Sequence, residues 1–141
     1  MTILISVPGA GEALAAGGGL WCKVPAEATG GAYSVLEFVL LPGTRTPLHV
    51  HHREDEILIV VEGECEIREA SGARTAPRGS VVRLPKDSVH AFGNAGDTPL
   101  RLIITAIPGG LEKYFAAVTG GEATPERLSE IARDFEMEFL G

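Results

Sequence analysis

From Leu20 to Ile107 the chain is cut into short runs by Gly, Pro, Asn and Asp clusters, at roughly the 8–12-residue spacing of strand-and-turn proteins. Tyr33–Leu41 (YSVLEFVLL), closed by the turn signal Pro42-Gly43, and Pro99–Ile107 (PLRLIITAI) are the two long predicted strands. Between them lie Leu48–His51, Glu56–Glu62, Glu64–Ala70, Gly79–Leu84 and Ser88–Asn94. Glu62-Gly63 is expected to fold Glu56–Glu62 onto Glu64–Ala70 as a hairpin, Ser71-Gly72 marks the next turn, and Pro85-Lys86-Asp87 reads as an exposed turn. Leu20–Val24 is a further short strand, Gly9–Gly19 a loop, and Ile3–Val7 an edge strand or an arm toward a partner subunit. Such a pattern predicts an all-β barrel or sandwich.

After Pro108-Gly109-Gly110 the apolar period lengthens. Leu111, Tyr114, Phe115 and Val118 share one helical face, and Gly120-Gly121 stops that helix. Thr124 caps a second helix that starts at Pro125 and carries the stripe Leu128, Ile131, Phe135. Both helices are expected to lie across one end of the barrel. The division is an N-terminal arm with edge strands (1–32), a barrel core (33–107) and a helical segment (108–141) of one domain, as 141 residues allow.

Charge narrows the partners. Twelve Lys and Arg against nineteen acids, a net charge of -7, argue against a nucleic-acid backbone. No apolar run approaches the roughly 18 residues of a membrane span. Cys22 and Cys65 form no C-x-x-C pattern and read as reduced, buried side chains, and no basic residue precedes Lys23 as a secretory leader requires, so a cytoplasmic location is expected. Tyr33–Leu41 and Ile57–Val61 are apolar on both faces, which predicts a homodimer.

Chemistry concentrates in two segments. His49 and His51 are two apart, so on a strand their imidazoles share a face, with His52 on the other. Glu56 is in phase with Leu58 and Val60, and His90 with Phe92 and Asn94. Glu54 and Asp55 read as solvated acids. An isolated His-x-His fits a solvated, charged turn equally well. A carboxylate and imidazoles aimed into an apolar interior instead require a compensating charge, which a cation supplies. No catalytic Ser, Cys or phosphate-loop pattern competes.

The spacing Gly43, five residues, His49-x-His51, four residues, Glu56, six residues, Gly63 resembles the first motif of the cupins; Gly79, five residues, Pro85-x-Asp87, two residues, His90, three residues, Asn94 resembles the second. Asp87 departs from the usual glycine, at a turn position where Asp tolerates positive φ. The resemblance implies a double-stranded β-helix (cupin) barrel with short C-terminal helices, in which His49, His51, Glu56 and His90 hold one divalent transition metal (Fe, Mn, Ni, Co, Cu or Zn). Of the aromatic residues Trp21, Tyr33, Phe38 and Phe92, the substrate-pocket residues expected are Phe38 and Phe92; Gly93 and Asn94 are expected in a turn, with Asn94 hydrogen-bonded structurally. The tail GGLEKYFAAV is similar to that of quercetinase-like single-domain cupins. The activity so implied is dioxygenase cleavage of a small enolisable substrate, a flavonol or β-diketone, with Glu56 as catalytic base. Non-redox isomerase, cyclase or lyase chemistry at the same site, and ligand binding without catalysis, are the alternatives.

Overall fold

The computed structural model describes residues 2–15 and 18–140. In chain order its elements are β1 (Glu12–Ala13), β2 (Leu20–Val24), β3 (Ser34–Leu40), β4 (His49–His51), β5 (Asp55–Glu62), β6 (Cys65–Glu69) and β7 (Gly72–Ala76). There follow β8 (Val81–Leu84), β9 (Ala91–Asn94), β10 (Leu100–Ile107), α1 (Leu111–Thr119), α2 (Pro125–Asp134) and β11 (Met137–Phe139). One sheet has the order β1-β2-β3-β10-β5-β8. Facing it, β7-β6-β9 is continued by the pair β4-β11, because the bridges Arg45↔Gly93 and His49↔His90 join the two pieces. This is the double-stranded β-helix expected from the sequence.

Several elements differ from expectation. β5 and β6 do not form a hairpin: β5 pairs with β10 and β8, so both its edges are taken, while β6 pairs with β7 and β9 in the opposite sheet. Gly63 turns that corner at φ 82, and an added Cβ would lie 2.8 Å from the Pro99 carbonyl oxygen, so this corner requires glycine. Ile3–Val7 forms no strand, and β1 falls inside the segment read as a loop. β7 and β11 carry no period-2 signal; each exists because a neighbour offers unpaired backbone groups. Gly93 and Asn94 lie in β9 rather than in a turn. The structural part of the Asn94 reading holds, since its amide nitrogen donates to Leu40 O (2.9 Å) and Thr98 O (2.7 Å).

The alternation in β5 places Glu56, Leu58 and Val60 inward and leaves Ile59 and Val61 exposed. Leu58, Leu100, Leu102 and Ile104 fill the barrel beside Phe92, each such burial contributing about 1.5–3 kcal/mol. A second cluster, including Leu36, Leu111, Tyr114 and Met137, packs the helices onto one barrel end. Phe38 touches both clusters, and a cavity lies where they meet. Thr124 caps α2, its hydroxyl accepting from Arg127 N at 3.2 Å, and Pro125 opens the helix as the sequence predicts.

The glutamate that interrupts the apolar pattern of β3 is buried and charged. Glu37 Oε1 lies 3.3 Å from Lys23 Nζ and accepts from Gly9 N at 2.7 Å; Oε2 is bonded by Arg101. Lys23 Nζ also donates to Val7 O at 2.6 Å, so this ion cluster fastens residues 7–10 over the outer face of the larger sheet.

Candidate metal centre

His49 and His51 project from β4, His90 directly precedes β9, and Glu56 comes from β5 in the other sheet. Two tertiary facts bring them together. His49 and His90 exchange backbone hydrogen bonds (2.9 and 3.0 Å), and the Asp87 amide donates to His51 O at 2.9 Å, pinning the turn before His90. Asp87 adopts φ 69, the left-handed conformation anticipated for that position. One ligand atom of each of the four residues lies within 4.8 Å of the others, and all four residues are buried.

Each imidazole is held by the nitrogen that faces away from the centre. His49 Nδ1 donates to Pro47 O at 2.8 Å and His90 Nδ1 to Ser88 O at 3.2 Å, since a carbonyl only accepts. His51 Nδ1 donates to Glu54 Oε1 at 3.0 Å. Nε2 of each ring is thereby left as an acceptor. His51 Nε2 and His90 Nε2 approach Glu56 Oε1 to 3.1 and 3.5 Å, so lone pairs face lone pairs. Glu56 Oε1 and His90 Nε2 have no hydrogen-bond partner among the described residues. Buried acceptors converging on one point, with no donor among them, fit a divalent cation.

The electrostatics agree with that fit. Burial pushes the His49 imidazole down to about 4, against the opposing hydrogen bond to Pro47, so the ring is neutral and able to ligate at neutral pH. Burial would raise the Glu56 carboxyl, but the facing imidazoles of His90, His51 and His49 hold it below the ordinary carboxylate range. Burial would lower His51, but the Glu54 hydrogen bond and the Glu56 charge hold it above the usual imidazole value.

Glu54 overturns the expectation of a solvated acid. Its side chain is 2% exposed, it grips His51, and its second oxygen lies 3.8 Å from Arg53. The only sequence hint was its place three residues after His51. Asp55 is half-buried and accepts from Lys86 N at 2.8 Å, tying the start of β5 to the Lys86-Asp87 turn. His52 is exposed as expected, bridging Asp87 (2.7 Å) and Glu138 (3.2 Å).

The adjoining cavity, about 170 Å³, is lined by Phe38 and Phe92, whose rings meet edge to face at 5.7 Å. Trp21 and Tyr33 lie off it. Its remaining wall includes Leu111, Tyr114, Phe115, Met137 and Phe139, contributed by the C-terminal segment and not singled out as pocket residues in the sequence. Thr46 and Tyr114 bring hydroxyls to the lining, and among the described residues no Lys or Arg lines the cavity.

A model of the cupin domain matches residues 36–106. Germin-like protein 1-3 of Oryza sativa subsp. japonica is 31% identical over 105 residues, covering 69% of this chain and 46% of that protein. The chain spans between 17% and 60% of the length of the first curated relatives it matches. Among solved structures, a predicted oxalate decarboxylase from Thermotoga maritima aligns with TM-score 0.59 and 24% identity over 63% of this chain and 78% of that one. The polyketide cyclase RemF from Streptomyces resistomycificus aligns with TM-score 0.57 and 18% identity, over 62% of this chain and 63% of that one. These structures share the fold.

Proposed function

The chain belongs to the cupin domain family, and from that premise we propose that it is a metal-dependent dioxygenase acting on a compact, enolisable oxygen-donor substrate of the β-diketone type. The observation that carries this reading is the pairing of the four-residue ligand set with an apolar, aromatic cavity of about 170 Å³ that presents no cationic side chain. A phosphorylated or sugar substrate would leave its charges and hydroxyls unpaired there.

His49, His51, Glu56 and His90 are the residues that would hold Fe, Mn, Ni, Co, Cu or Zn. Such an ion, when bound, supplies Lewis acidity and, for a redox-active metal, oxygen chemistry. The Glu56 carboxylate, ionised at neutral pH, accepts the acidic proton of the substrate at a carboxylate oxygen. Phe38 and Phe92 hold the apolar body against the centre and exclude water. Oxygen uptake with a panel of small β-diketones tests the reading: consumption stoichiometric with carbon–carbon cleavage is expected, and equal turnover without oxygen would refute it.

One observation favours a second reading, non-redox isomerisation or cyclisation. Tyr114 places a phenol in the same wall as the Glu56 carboxylate, and burial raises its pKa, so a proton donor and a proton acceptor border one cavity. Anaerobic turnover lost in Tyr114→Phe would support it. Ligand retention without chemical change would support neither reaction.

The assembly proposed is a homodimer in a reducing, cytoplasmic setting. In support, Ile59, Val61, Val81 and Ile107 are exposed apolar residues on the larger sheet, and both cysteines are free and buried. No helix among the described residues is long and apolar enough to cross a membrane. Light scattering at micromolar concentration tests the dimer; a monomer mass would refute it.

A further inference from the structure

The inner cavity has a neighbour. A larger groove, about 530 Å³, runs beneath α2 and is lined by Leu128, Ala132 and Arg133, among others. Pro47, Tyr114, Met137 and Phe139 line both spaces, so these four side chains are the wall between them. Two of the four, Tyr114 and Met137, are buried at 9% and 7% exposure, and Pro47 has no freely rotating side chain to withdraw. Phe139 is different: it is 43% exposed.

Its placement follows from the strand register. Phe139 pairs with His49 across β11 and β4, and paired residues on antiparallel strands project to the same face. The Phe139 ring therefore lies beside the imidazole, at 5.9 Å between centroids, and 6.4 Å from the Tyr114 ring, in both cases tilted rather than stacked. β11 pairs with β4 and is held at both ends, by His52 N donating to Glu136 O (2.8 Å) and Leu140 N donating to Leu48 O (2.9 Å), so the Phe139 side chain rather than the strand is the variable part of the wall. Apart from Ser129, Arg133 and Glu138, the groove is lined by apolar or aromatic side chains, and Glu138 is occupied with His52. That predominantly apolar lining matches an alkyl chain.

We propose that this groove is a second subsite, for the apolar tail of a ligand whose oxygen-donor head sits at the metal centre, and that the Phe139 ring is the partition setting how long that tail can be. The subsite rests on the metal-centre reading above. The whole partition except Pro47 lies outside residues 36–106, in the C-terminal segment, so length selection belongs to this chain's own tail rather than to the portion matching the family model.

The experiment is calorimetric titration of Zn(II)-loaded protein with acetohydroxamate and octanohydroxamate, using the wild type, Phe139→Leu and Phe139→Ala. Acetohydroxamate is expected to bind all three, and its affinity in each is the reference against which octanohydroxamate is read. Octanohydroxamate is expected to bind Phe139→Ala more tightly than the wild type by about tenfold or more, since methylenes of its tail become buried in the groove. Phe139→Leu, which keeps an apolar side chain in the wall, is expected between them. Adding Leu128→Asp to Phe139→Ala should remove the gain. Equal octanohydroxamate affinity in wild type and either variant, or a gain insensitive to Leu128→Asp, overturns the partition. Failure of acetohydroxamate to bind the Zn-loaded wild type overturns instead the metal-centre reading, and the subsite with it.

Discussion

His49 and His90 are a backbone-paired couple: each amide donates to the other's carbonyl, at 2.9 and 3.0 Å, and their rings stand 4.5 Å apart. Two histidines remote in sequence are thus fixed by the sheet itself, independently of their side chains. Glu56 reaches them from the facing sheet, so the candidate centre stitches the two layers of the barrel together.

Because the pairing is made by backbone, His49→Ala and His90→Ala are each expected to lose bound metal while the barrel stays folded. Elemental analysis alongside far-ultraviolet circular dichroism checks this. Full metal occupancy in either variant would contradict the ligand assignment.

Glu54 is expected to act on metal affinity through His51. Glu54→Ala leaves the His51 Nδ1–H without its acceptor and should weaken metal binding by about 10–100-fold. Glu54→Gln, which retains an acceptor oxygen but not the charge, should recover part of that loss. Competition against a chelator of known affinity measures both, and identical affinities for wild type and Glu54→Ala would remove Glu54 from this role.

Metal removal should lower stability, because the ligand cluster without a cation keeps buried acceptors unmatched. At a metal concentration one hundred times Kd the linkage amounts to about 2.7 kcal/mol. That corresponds to a Tm about 5–10 °C higher than after chelation for a domain of this size. Thermal melts with and without chelator read it directly; superimposable curves would mean no metal is bound.

Glu37 predicts acid sensitivity away from the metal centre. Burial would raise its carboxyl, but hydrogen bonds from Gly9, Arg101 and Lys23 hold it below the ordinary value of 4.5. A depressed folded-state pKa contributes stability above the unfolded value, lost as pH falls through the folded one. Urea midpoints should therefore decline below about pH 4.5, and Glu37→Leu should flatten that part of the profile. The same variant leaves Lys23 buried without its carboxylate and should cost about 3–5 kcal/mol at neutral pH. A midpoint unchanged from wild type would show that the arm at residues 7–10 is not held this way.

The legible parts of the molecule were those written in local periodicity. Strand phase separated Glu56 from Asp55, the motif spacing separated it from Glu54, and two apolar stripes announced α1 and α2. Sheet order was not legible, and the hairpin expected at Glu62-Gly63 shows why. A Gly-bearing turn signals that the chain changes direction but not whether the next strand pairs with the last one or crosses to the other layer, as β6 does.

By itself, then, the sequence determined an all-β barrel with two helices after it, the family, and the four residues that converge on one centre, since residue type, spacing and strand phase are local properties. Tertiary structure alone decided that Glu54 is buried behind His51, and that the three-residue β11 closes the cavity with Phe139. Both depend on what the rest of the chain places beside them: a carboxylate is solvated or buried according to its surroundings, and a strand too short to carry a periodic signal forms only where β4 supplies the missing hydrogen-bond partners.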